Sequence, residues 1–366
     1  MSHRHSANRP YIGLMNQISF RSGVRDNRLI GTWLLFVMLT VICMIVFGGA
    51  TRLTNSGLSI TEWKPITGAL PPLSHEAWLI EFEKYKQIPE FEAEHPDMTL
   101  KGFEFIYFME WGHRQLGRFI GLVYALPLLF FTFRKAVPKF RAWRFWAILI
   151  LIGVQGAIGW WMVASGLDDV SVSQYRLATH LGMAFVILGL LFWLWRDARE
   201  NWPKRNMRPN FSKRSGLLAF LIFVQIILGA FVAGTKSGLS YNTWPMMDGR
   251  FIPNGYGVMS PIWKNLFENT AAIQFNHRTL AYIILTMTVW VFLTSRKHRF
   301  MRGSVTVLSL LILWQVALGI ITLLTGSVVH VWTDIHIELA LLHQFSSILV
   351  FLSVLWVWRN TLVSRA

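Results

Sequence analysis

Two stretches set ionisable and polar side chains inside otherwise apolar runs: Glu110-Trp111-Gly112-His113-Arg114 and, 164 residues later, Gln274-Phe275-Asn276-His277-Arg278. Membrane-spanning segments rarely hold ionisable residues, and those present usually face a bundle interior and serve a function. Two further histidines, His180 and His343, lie in equally apolar surroundings. Neutral imidazoles from facing helices, without cysteine or a carboxylate cluster, suit axial ligation of haem iron better than a zinc or di-iron site. The four candidate metal ligands are therefore His113, His180, His277 and His343, expected to pair as His113 with His180 and His277 with His343; pairing across the two halves is left open.

Glu110 and Gln274 each precede a candidate ligand by three residues, on the same helix face. A carboxylate there can take or deliver protons and an amide cannot, which points to a reactive first copy and a second copy that only holds a redox cofactor. Arg114 and Arg278 follow their histidines directly, with Arg118 one turn beyond Arg114. They are candidate partners of haem propionates through forked contacts, and an internal Glu110–Arg114 pair is the alternative for Arg114. His3, His5, His75, His95, His298, His330 and His336 fall outside the spans or at their mouths and are not expected to bind metal.

The elements that must position these residues are membrane helices. Of 366 residues, 53% are hydrophobic and 15% charged, with 18 Trp and 27 Phe, which places the chain in the membrane class. Apolar runs of spanning length occur at about 29–51, 105–133, 143–165, 172–195, 215–234, 270–294, 303–325 and 336–358. The net charge of +16 does not imply nucleic acid, because 23 of the 35 Lys and Arg fall in alternate connections and the tails. The connection 53–104 instead holds nine acids against four bases. The positive-inside rule then puts both termini in the cytoplasm. Residues 1–28, with Arg4, Arg9, Arg21, Arg25 and Arg28, read as a cytoplasmic tail rather than a transit peptide. Cys43 is the single cysteine, which excludes an intrachain disulfide or a thiol relay.

The chain also repeats itself. Ser56-Gly57-Leu58-Ser59 matches Ser237-Gly238-Leu239-Ser240, and Gln155-Gly156-Ala157-Ile158-Gly159 matches Gln315-Val316-Ala317-Leu318-Gly319. The expected fold is all-α: eight transmembrane helices as two tandem four-helix bundles related by a pseudo-twofold along the membrane normal. The expected units are the bundle at 29–195, which takes the substrate, a basic linker at 196–214, and the bundle at 215–366, which holds a cofactor. The first outer loop is longer than its counterpart, and Trp78, Leu79, Phe82 and Tyr85 within 75–88 predict a short amphipathic helix there. Gly48-Gly49, Gly156, Gly159 and Gly182 suit close approach of helices, or of a helix to a flat ligand.

Together with Thr54–Pro65, Met109–Arg114, Tyr241–Pro245 and Ala340–Gln344, these residues closely resemble the haem A synthase family over essentially the whole chain. The resemblance implies conversion of haem O to haem A by two successive hydroxylations of one porphyrin methyl and loss of water to leave a formyl group. It implies haem b between His277 and His343, the substrate haem near His113 and His180, and an essential Glu110. The absence of a loop cysteine pair resembles the proteobacterial and mitochondrial branch, and the expected location is the bacterial inner membrane. Candidate partners are haem O synthase, cytochrome oxidase assembly factors and a second copy of the chain, with membrane lipid around it and no nucleic acid. The main rival is a di-haem cytochrome b that only moves electrons; a transporter or haem exporter would need a polar path across the membrane.

Overall fold

The computed structural model describes residues 9–64, 66–202, 209–296, 299–326 and 334–362. His3, His5, His298, His330 and Pro203 of the linker lie outside them. The described residues form ten α-helices in chain order. They are α1 (Arg9–Leu53), α2 (His75–Tyr85), α3 (Pro89–Glu94), α4 (Leu100–Phe133), α5 (Ala142–Ala164), α6 (Gln174–Arg199), α7 (Pro209–Gly234), α8 (Thr270–Ser295), α9 (Arg299–Thr325) and α10 (Asp334–Leu362). All but α2 and α3 are long and apolar enough to cross a membrane, giving eight spans at the expected places. Several helices run past their apolar stretch. α4 starts at Leu100 rather than 105, because the Thr99 hydroxyl caps it by accepting from the Gly102 amide. α6 continues to Arg199 because its polar last turn, Arg196 to Arg199, finds ion partners.

Within 29–195, α1, α4, α5 and α6 each touch the next and close a ring; α7, α8, α9 and α10 do the same in the second half. The rings meet along α6 and α7, and α10 also packs on α1 and α6. One continuous core serves both. On the even-numbered spanning helices it lies after the histidines, at Ile120, Tyr124 and Leu128 of α4, Phe185 and Leu188 of α6, Ile284 and Val291 of α8, and Ile348 and Val354 of α10. The bundle is thus filled with close-packed hydrocarbon on the far side of the histidines, the cytoplasmic side if charge sets orientation.

That end is also tied by ions. Arg359 of α10, 1% exposed, donates to Asp197 of α6 at 2.9 Å and to Glu200, just past the end of α6, at 2.8 Å, and Asp197 also takes Arg141 at 2.6 Å. At the opposite end the expected outer-loop helix is α2, capped by Ser74. It buries Phe82 and Tyr85 against Phe103 and Tyr107 of α4. Leu79 is 41% exposed, so the apolar face runs through Trp78, Phe82 and Tyr85 alone. Of the glycines singled out, Gly49 lies against Gln344 and Gly182 against Ile227, whereas Gly156 has open space beside it.

Candidate haem-binding site

Each of the four histidines sits on an even-numbered spanning helix and rests on a glycine of the helix before it. A Cβ added at Gly48 would come within 3.0 Å of the His113 ring, at Gly159 within 3.0 Å of His180, at Gly229 within 3.3 Å of His277, and at Gly319 within 3.0 Å of His343. Four glycines thus let four imidazoles lie close between helices, where a Cβ would make the ring give by a few tenths of an ångström. All four histidines are partly buried. In the order of helix contacts, α4 with His113 stands across the first ring from α6 with His180, and α8 with His277 stands across the second from α10 with His343. Two imidazoles on opposite helices of each ring, with no group of three or more potential metal-binding side chains among the described residues, are a donor set that fits a haem iron and does not fit a caged metal ion.

Three of the four histidines carry a further contact. Gln155 of α5 donates through Nε2 to the His180 carbonyl, Gln225 of α7 to that of His277, and Gln315 of α9 to that of His343, each at 3.0 Å. The same amide nitrogen lies 3.4 Å from His180 Nε2, 3.1 Å from His277 Nδ1 and 3.2 Å from His343 Nδ1. In all three cases the glutamine stands four residues, one helical turn, before the glycine under the ring. This pattern is visible in the sequence as Gln-x-x-x-Gly, but nothing there ties it to the histidines.

Glu110 is 2% exposed and receives only donors: Ser59 Oγ at 2.8 Å and the Ile60 amide at 2.7 Å on Oε2, Arg114 Nη2 at 2.6 Å and Nε at 3.1 Å on Oε1. That is the environment of an ionised carboxylate. These bonds lead to the loop after α1 and not to the His113 ring. Arg114 reaches on to the Ile60 carbonyl at 3.0 Å and the Glu62 carbonyl at 3.3 Å, so the internal pair is the arrangement its guanidinium takes. In the second ring Gln274 donates to the Tyr241 carbonyl at 3.1 Å, and Arg278 donates to Tyr241 and Thr243 carbonyls at 2.7 and 2.8 Å. Sequence reasoning missed Ser59 and Ile60. Their share is one hydroxyl and one backbone N–H, although both lie in the Thr54–Pro65 motif.

A family model described as cytochrome oxidase assembly protein, COX15-CtaA, matches residues 31–355. The chain belongs to this family. Its relatives include proteins named heme A synthase. That of Maricaulis maris is 48% identical over 331 residues, covering 90% of this chain and 94% of the relative. That of Caulobacter vibrioides is 45% identical over 341 residues, covering 91% and 96%, and that of Brucella anthropi 43% over 344 residues, covering 92% and 93%. The COX15-CtaA match spans both helix rings and takes in all four histidines, Glu110 and the three glutamines. The remaining described histidines are engaged elsewhere or peripheral: His95 shares a 2.7 Å hydrogen bond with Tyr85, His75 opens α2, and His336 packs beside Gly326.

Proposed function

We propose that this COX15-CtaA protein is a haem A synthase. Haem O binds as substrate in the ring of α1, α4, α5 and α6 between His113 and His180, and one of its methyl groups is oxidised to a formyl group through two hydroxylations and loss of water. In the second ring His277 and His343 would hold a haem b, which would supply a one-electron redox couple to carry away the electrons removed. The two rings then form tandem bundles related by a pseudo-twofold along the membrane normal, in the bacterial inner membrane with both termini cytoplasmic.

The observation that carries this reading is the asymmetry between equivalent positions. Glu110, buried and held by donors from Ser59, Ile60 and Arg114, stands one turn before His113, whereas the Gln274 amide in the same relation to His277 cannot act as an acid or base. Oxidising a methyl group releases protons, and Glu110 is the group of the first ring able to take one, at the oxygen shared by Ser59 and Ile60. Arg114 holds that carboxylate in place through two bonds, so a proton accepted at Oε2 leaves Oε1 paired. Haem extracted from the purified protein and analysed by mass should contain haem b together with haem O or haem A. Haem b alone, with no conversion when haem O is supplied, would instead mark the protein as an electron carrier.

A further inference from the structure

The clamp that Gln155, Gln225 and Gln315 place on three histidines is missing from the fourth. Four residues before Gly48, where the pattern calls for glutamine, stands Met44, and among the described residues no side chain bonds the His113 ring or its carbonyl. The three glutamines bond nothing but their histidines. The Oε1 of each is buried and bonds no described residue, so the amide nitrogen alone engages the protein, on the histidine. The rings reflect the difference. His180, His277 and His343 all turn Cε1, followed by Nδ1, toward their glycine, whereas His113 turns Nε2, followed by Cδ2, the edge reached by a half-turn of the ring.

We infer that the glutamines are positioning residues that fix three imidazoles as permanent ligands, and that Met44 leaves His113 as the displaceable ligand through which a haem is admitted to, and released from, the first ring. This rests on the haem-ligating reading above. It follows from what the two rings have to do: a resident cofactor is retained by two fixed ligands, while a substrate that must leave as product needs one bond that opens. Neither Glu110 nor Arg114 takes part in this opening, since both are anchored to the loop after α1.

Carbon monoxide added to the reduced, full-length protein carrying both haems reads this directly, because it binds only where an axial ligand gives way. The absorption spectrum tells which haem has reacted. The haem of the first ring should bind carbon monoxide and haem b should not. Met44→Gln, which supplies the missing amide, should weaken that binding about three- to tenfold, the range of one net hydrogen bond. Gln225→Met should make haem b reactive. Unchanged carbon monoxide affinity in Met44→Gln with both haems retained, or an unreactive first-ring haem in the parent protein, would overturn the inference. If Met44→Gln does not fold, Gln225→Met decides alone: a reactive haem b supports the clamp and an unreactive one refutes it. The ligation reading fails separately, if His113→Ala and His277→Ala leave both haem spectra as in the parent.

Discussion

A carboxylate buried among four donors depends on its partners more than they depend on it. Glu110→Gln puts an NH2 where either Arg114 or the Ser59 and Ile60 donors must face it, leaving buried groups unpaired at a cost of about 1–3 kcal/mol. The variant should still bind haem but lose conversion by about 100-fold or more, scored by mass analysis of product. Arg114→Leu strands the charge and should cost about 3–5 kcal/mol in thermal unfolding. A second acid responds to pH. Glu90, 5% exposed on the outer face, is pushed up to about 8, first by burial and then by Glu110; Glu94 adds to the rise, while Tyr85 and Arg52 oppose it. The folded state therefore holds a proton that the unfolded chain has released between about pH 4.5 and 8, so this group costs stability as pH rises through that window. Glu90→Gln should gain melting temperature relative to the parent at pH 8.5 and little at pH 4.5. Glu110 and the four histidines were legible because charge and imidazole stand out in apolar sequence. The glutamine amides were not, since an uncharged polar side chain in a helix has many ordinary uses and only the contact reveals this one.

At the scale of helices, spacing is set where backbones come closest. A Cβ at Gly234, the last residue of α7, would meet Gln174 at 2.7 Å from its Cβ and 2.9 Å from its Cα, and the start of α6 cannot retreat from its own backbone. Gly234→Val should lower stability by about 1–3 kcal/mol or more. Gly156→Ala, in the middle of α5 with no atom within 4 Å, should be neutral or raise stability by up to about 1 kcal/mol through helix propensity. Thermal unfolding in the same detergent compares the two. Hydropathy placed all eight spanning helices but not their true ends, because caps such as Thr99 and ion partners such as Asp197 prolong a helix past the apolar run. It also put Leu79 on the buried face of α2, which an apolar type alone cannot exclude and contact with α4 decides.

For the molecule as a whole, the charge pattern predicts which end faces which compartment. Cys43 is the only native thiol, so Cys43→Ser gives a clean background for labelling. With Lys86→Cys in the outer loop, a membrane-impermeant maleimide should react on intact spheroplasts; with Lys135→Cys, between α4 and α5, it should react only after lysis. Reversed labelling would invert the topology. The repeat and the even number of spans were readable in the sequence; how the halves are joined was not, since the joining contacts link residues far apart in the chain. Gln344 of α10 donates to the Ile45 carbonyl of α1 at 2.7 Å, close to the histidines. Arg52 bonds the Ala233 and Gly234 carbonyls at one end of the bundle, and Arg359 grips Asp197 and Glu200 at the other. Side-chain hydrogen bonds thus join the halves at three heights. The spacing of one histidine pair from the other is then held by side chains that reach from α1 to α7 and from α10 to α1 and α6, so losing one of these ties should leave the other two keeping the rings in register.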